Sequence, residues 1–178
     1  MQPRTDPTTF YVLTASSAPS SAPDDASRVI GLGPIRLPDY LDRPQLVTRL
    51  AANQLRISES ERWAEPLADA FVDRVRRDLA AILQSDTIVA YPWDSSQHPA
   101  LQVAIEVLRF ERTSPEAVEL DVRWTIRDDA QHLLQTKESH IRQPTVAPDA
   151  QSAVAALSET LAALSREMAA TLRGLSHR

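Results

Sequence analysis

The chain has 178 residues, 43% hydrophobic and 24% charged, with a formal net charge of -5 and no cysteine. That length buries one sizeable core without a staple. Disulfides and thiolate chemistry are excluded, the acidic balance argues against a phosphate-tracking nucleic-acid surface, and no run reaches the ~18 apolar residues of a membrane helix.

The opening MQPRTDPTTF has neither a basic n-region with an apolar core nor a cleavage site, so it does not read as a secretory signal. Phe10 to Leu13 is apolar and aromatic enough for a strand. TASSAPSSAPDDAS, residues 14–27, has no apolar period and reads as a flexible surface link. Arg28 to Leu37 is expected to form a second strand with Val29, Ile35 and Leu37 on one face. Gly31, Gly33 and Pro34 make it irregular or place it at an edge. Gln45 to Ile57 is a third extended stretch, divisible into two strands near Ala51 to Gln54.

From Arg62 to Gln84 the apolar period turns helical, with Trp63, Leu67, Phe71, Val75, Leu79 and Ile82 along one face. Ser58 and Glu61 have the spacing of a capping box, and Pro66 fits a first turn, so the helix is predicted to begin between Glu61 and Glu65. Asp69, Asp73, Arg76, Arg77 and Asp78 are assigned to its wet face.

Ile88 to Tyr91 is a short strand stopped by Pro92. Leu101 to Glu111 and Val118 to Arg127 alternate apolar and polar residues, and short links predict an antiparallel meander of three strands ending near Arg142. The last member, HLLQTKESHI, is polar and suits an edge. Asp149 to Leu175 is a second helix, with Val154, Leu157, Leu161, Leu164, Met168, Leu172 and Leu175 in one stripe that packs on the sheet or zips to a partner. The predicted fold class is α/β, α+β-like: a mixed, largely antiparallel sheet against two long helices.

Candidate chemistry is sparse. GLGP lacks the third glycine of a dinucleotide loop, and Pro34 removes an N–H that a phosphate cradle uses. The histidines lack helix-borne metal spacing, although His132 and His140 share strand parity and could approach Asp128 or Asp129. Asp39 and Asp42 could be imagined as acid and base, but no nucleophile accompanies them, and turn roles account for them. Of the three tryptophans, Trp63 and Trp124 read as core residues. Trp93, in YPWDSSQHP, either anchors its loop or faces a partner or lipid.

The order FYVL, IGLGPIRLPDYLDRPQLVTR, LRISESERWAEPL and IVAYPW resembles the PqiC or YmbA-type auxiliary lipoproteins of ABC-type transport, partners of MCE (mammalian cell entry) lipid-transport proteins. The likeness spans Phe10 to the second helix. It implies one domain over residues 10–178, with residues 1–9 a tether remnant that follows a lipid-attachment site. It also implies a non-enzymatic lipoprotein on the periplasmic face of the outer membrane, without cofactor, that docks to an MCE (PqiB-like) tube subunit. Phospholipid is the expected cargo, and a homo-oligomer such as a ring the expected assembly. The alternative is a periplasmic carrier holding an acyl chain between sheet and helices. Under the resemblance Pro38, Asp39, Tyr40, Leu41, Asp42, Arg43 and Pro44, with Trp93, are the candidate partner or subunit interface. Two prolines stiffen this loop, and Tyr40 and Arg43 are residue types enriched at hot spots. Equally, Tyr40 could cap the protein's own core while Asp42 and Arg43 pair locally.

Overall fold

The computed structural model describes residues 7–15, 28–94, 96–114 and 116–176. In chain order these form β1 (Thr9–Tyr11), β2 (Ile30–Arg36), β3 (Gln45–Ala51), β4 (Gln54–Trp63), α1 (Leu67–Leu83), β5 (Ile88–Ala90), β6 (Leu101–Ser114), β7 (Ala117–Asp128), β8 (Leu133–Pro144) and α2 (Ala150–Ser176). The expected class holds: a mixed eight-stranded sheet with two helices among the described residues. Most of the link predicted over 14–27 lies outside the described residues; at its start the Thr14 N–H donates to Ser158 Oγ at 3.1 Å.

The sheet is organised around β6, which at 14 residues is the longest of the eight strands. One edge of β6 carries β7 and then β8, the antiparallel meander expected from the alternation. The other edge is shared. β2 runs parallel to β6 from Leu101 to Glu106, while β3 meets it only farther on, where Thr48 lies opposite Arg112. β5 adds to β2, and β4 and β1 add to β3, so the sheet forks along one strand. The polar strand β8 takes the outer position of the meander, as its composition suggested.

Both helices cover one face. Phe71, Val75 and Leu79 of α1, Leu161, Leu164 and Met168 of α2, and Leu120, Trp124 and Ile126 of β7 are fully buried. Each such side chain contributes roughly 1.5–3 kcal/mol through loss of wet apolar area. The α2 stripe is therefore spent on the protein's own core, since only Leu175 of the seven residues is not buried. Trp124 also donates its indole N–H to Ser139 Oγ at 3.0 Å, and that hydroxyl donates to Glu167 Oε2 at 2.6 Å, tying β7 to β8 and α2.

Several expectations need correction. Arg62 and Trp63 end β4, and α1 starts at Leu67 after an N-cap Pro66 with no side-chain cap. Ser58 does accept the Glu61 N–H at 3.1 Å, but within β4, whose register shifts between Gln45 and Val47 of its partner strand. The same spacing closes a strand bulge here instead of a helix end. Ile30 to Gly33 are all buried, with Ile30 and Leu32 the core side chains, whereas Val29, Ile35 and Leu37 are half-buried; the register against β6 shifts between Leu32 and Ile35. Gly33, with φ +121, sits in that shift, and a Cβ there would lie 2.6 Å from Tyr91 Cβ.

Asp78 is also misplaced by the helical wheel. It is 5% exposed and paired with Arg74, itself 3% exposed, at 2.8 Å, and it feels the charges of Glu159 and Arg166 on α2. Burial pushes the Asp78 carboxyl up, with Arg74 opposing. The outer face of α1 keeps Asp73, which pairs with Arg76 and Arg77.

Candidate functional site: the proline-bracketed loop in the sheet fork

Residues 37–44 connect β2 to β3 and so lie where the sheet divides. The turn closes on itself. The Pro38 carbonyl accepts from the Leu41 N–H at 2.9 Å and the Asp42 N–H at 3.3 Å, and the Leu41 carbonyl accepts from Arg43 N–H at 2.8 Å. Pro44 carbonyl takes the Trp63 N–H at 2.7 Å, which fastens the loop to the end of β4. Leu41, only 2% exposed, drives the turn's apolar side into the core.

Between the β2 and β3 attachments, the β6–β7 register shifts at Val107 to Arg109. Tyr40 fills this place: its hydroxyl donates to Glu111 Oε2 at 2.7 Å, with the Leu108 carbonyl a second acceptor at 3.2 Å. Arg49 Nε donates to Glu111 Oε1 at 2.6 Å, and the Arg49 guanidinium lies 5.6 Å from the Tyr40 ring centroid. The Phe110 N–H adds a third donor to the carboxylate at 3.3 Å, so a side chain that is 0% exposed has its charge compensated. Burial, with the Glu111 carboxylate beside it, raises the Tyr40 phenol well above its ordinary value.

Of the expected interface residues, Tyr40 and Leu41 thus face inward. Asp39, Asp42 and Pro44 are exposed, while Pro38 and Arg43 are half-buried. Among the described residues Asp42 and Arg43 form no ion pair, and Arg43 Nε is buried without a hydrogen-bond partner. Trp93 stands apart from the loop. It lies over Gly31 at the opposite end of β2, where an added Cβ would meet Trp93 Cζ3 and Pro99 Cγ at 2.9 Å each, and its ring meets Tyr91 edge-on at 5.3 Å. The GLGP glycines accordingly serve close approach and an irregular strand.

The sequence reading missed three partners. Glu111, Arg49 and the Leu108 carbonyl gave no motif, though the apolar alternation of β6 breaks after Val107 and resumes at Phe110, the mark of an inserted residue. It also did not join LPDYLDRP to RWAEPL. In the fold Asp42, Arg43 and Pro44 share a groove of about 390 Å³ with Trp63, Ala64, Glu65, Pro66 and Leu67.

Elsewhere, His132 Nδ1 lies 3.0 Å from Asp128 Oδ2 in the β7–β8 turn, the approach anticipated from parity, while His140 pairs with Asp121 across the strands. Among the described residues no group of three or more His, Asp or Glu side chains converges for a metal. No helix among them is long and apolar enough to cross a membrane.

The described residues thus form a forked mixed sheet with two helices and a surface groove beside the 37–44 loop. The family model for the ABC-type transport auxiliary lipoprotein component matches residues 11–169, and the chain belongs to that family. Membership makes it an accessory component of a transporter and places it with the lipoproteins of the cell envelope. The same fold occurs in a Xanthomonas campestris protein of the DUF330 family, 19% identical, with a TM-score of 0.79 over 95% of this chain and 98% of that one. It occurs again in a crystal structure described as an uncharacterized protein, also 19% identical, with a TM-score of 0.78 over 93% of this chain and 98% of that one. No curated protein matches the sequence.

Proposed function

We propose that the chain is a non-enzymatic subunit of an MCE-type intermembrane lipid transport system. It is an outer-membrane lipoprotein, held on the periplasmic face by an N-terminal lipid. It docks through the 38–44 loop to the MCE tube subunit, and so aids passage of phospholipid or another hydrophobic cargo across the periplasm. The observation that carries this reading is the division of labour within the loop. Tyr40 and Leu41 fix it to β6 and the core, which leaves Asp39, Asp42 and Pro44 displayed on a backbone that is already ordered. A surface of that kind loses little conformational entropy on binding. The polar groups near it support assembly over catalysis, because Tyr40, Glu111 and Arg49 are engaged with one another.

The acyl-carrier alternative has less behind it, since Phe71, Leu79, Trp124, Leu161, Leu164 and Met168 fill the layer between helices and sheet. The test is co-expression with the MCE tube subunit followed by size exclusion and multi-angle light scattering. Co-elution of folded partners, with the chain itself above monomer mass, is expected. Separate elution of the two folded proteins would sink the docking assignment, and acyl lipid retained in native mass spectrometry would favour the carrier.

A further inference from the structure

The groove beside the loop has a floor and a rim of different character. Trp63 and Leu67 are 6% and 2% exposed and form its base, while the exposed Pro44, Ala64 and Pro66 form its walls. Asp42 and Glu65 stand exposed at its margin, and Asp39 and Asp69, also exposed, follow in the same two segments. Residues 39–43 and 65–69 together hold these four carboxylates against the single cation Arg43, a net of minus three. None of the four has an ion-pair partner within 4.0 Å among the described residues.

The acids on the open face of the meander differ. Glu106, Glu119, Asp121 and Glu138 are each paired with Arg109, Arg123 or Arg142, and so have cations beside them within the chain. An apolar trough bordered by uncompensated carboxylates attracts a ligand that brings its own cations and an apolar anchor.

We propose that the groove between Asp42–Pro44 and Trp63–Leu67 binds an extended segment of a partner protein in which apolar side chains are flanked by lysine or arginine. The apolar side chain rests between Pro44, Ala64 and Pro66 above the buried Trp63 and Leu67, and the flanking cations face Asp42 and Glu65. This rests on the docking reading above and adds the chemistry of the docked segment. The loop's order matters here too: Pro44 is fixed by its bond to Trp63 N–H, so the two walls are held at a set separation before anything binds.

The test uses the full chain and two fluorescein-labelled peptides, Gly-Ser-Lys-Leu-Val-Leu-Arg-Gly-Ser and its analogue with glutamate at both charged positions, read by fluorescence anisotropy. The cationic peptide should bind at least about tenfold more tightly than the acidic one, with affinity falling as salt rises. Replacing both rim acids, Asp42→Asn with Glu65→Gln, should weaken it about tenfold, the sum of two exposed charge pairs. Both side chains are exposed, so the fold survives the change. Ala64→Trp, which fills the exposed wall of the groove, should abolish binding. Equal affinity for the two peptides, no binding of the cationic one, or indifference to the double replacement would overturn the proposal. Failure of the MCE subunit to co-elute while the cationic peptide still binds would reject the partner and keep the groove. Co-elution that survives loss of peptide binding would do the reverse.

Discussion

Removing one oxygen tests whether Tyr40 belongs to the fold. Tyr40→Phe keeps the ring, its packing and its contact with Arg49, but deletes the hydroxyl that Glu111 Oε2 accepts from at 2.7 Å. A hydrogen bond to a charged group is worth about 1.5–3 kcal/mol, and leaving a buried acceptor short of a donor costs on that scale. Tyr40 is half-buried, and Glu111 keeps Arg49 Nε and the Phe110 N–H, so the lower part of that range applies, about 1.5 kcal/mol. For a domain of this size the loss corresponds to a fall of roughly 3–6 °C in Tm. Urea unfolding followed by tryptophan fluorescence reads it, since Trp63 and Trp124 lie in the core and become wet together. A cycle with Glu111→Gln isolates the pair, and a coupling above about 0.5 kcal/mol is expected. A Tyr40→Phe loss below about 0.3 kcal/mol, or strict additivity with Glu111→Gln, would refute the idea that this bond closes the fork.

The same phenol gives a pH prediction. Its folded pKa lies above the ordinary value of 10.0, so its stabilisation is complete below that value and is lost as the pH rises past it. Tyrosinate absorbance from Tyr40 should appear only with alkaline unfolding, and Tyr40→Phe should flatten the decline in stability above about pH 10. At the α1–α2 contact, Asp78→Ala strands the Arg74 guanidinium and should cost about 3–5 kcal/mol, whereas Arg74→Met with Asp78→Leu should come within about 1 kcal/mol of the parent. Urea unfolding of all three proteins checks this, and a double variant as unstable as Asp78→Ala would count against a buried, charge-compensated pair.

Much of the architecture was legible because it rests on periodicity. Val103, Ile105 and Val107, then Val118, Leu120, Val122 and Trp124, alternate as a half-buried sheet requires, and the leucines of α2 recur at helical spacing. What escaped notice depends on breaks in period or on distant partners. Ser58 with Glu61 is the same local hydrogen bond in a helix cap and in a strand bulge, and only the pairing of Gln45 with Arg62 decides between them. Asp78 counts as a wet-face charge until Arg74, one turn earlier, is seen to be buried with it. For the loop, sequence left Tyr40 open between self and partner. Its acceptor lies 71 residues away on a strand whose bulge no local pattern locates fully, so the inward role of Tyr40 and Leu41 needed the fold. Asp39, Asp42 and Pro44 are the loop residues left exposed once Tyr40 and Leu41 turn inward.

The forked sheet also has a mechanical meaning. A sheet built of successive strands hands a load from neighbour to neighbour and opens first at its margin, one pair of bonds at a time. Here the displayed loop is moored to the central strand through Tyr40, Leu108 and Glu111, and to β4 through Pro44. Tension applied at residues 38–44 therefore enters β6 and β4 at once, and β6 is flanked on both sides by paired strands. A pull there meets the molecule at its keel, and the load enters the sheet away from the edge strands β1, β5 and β8.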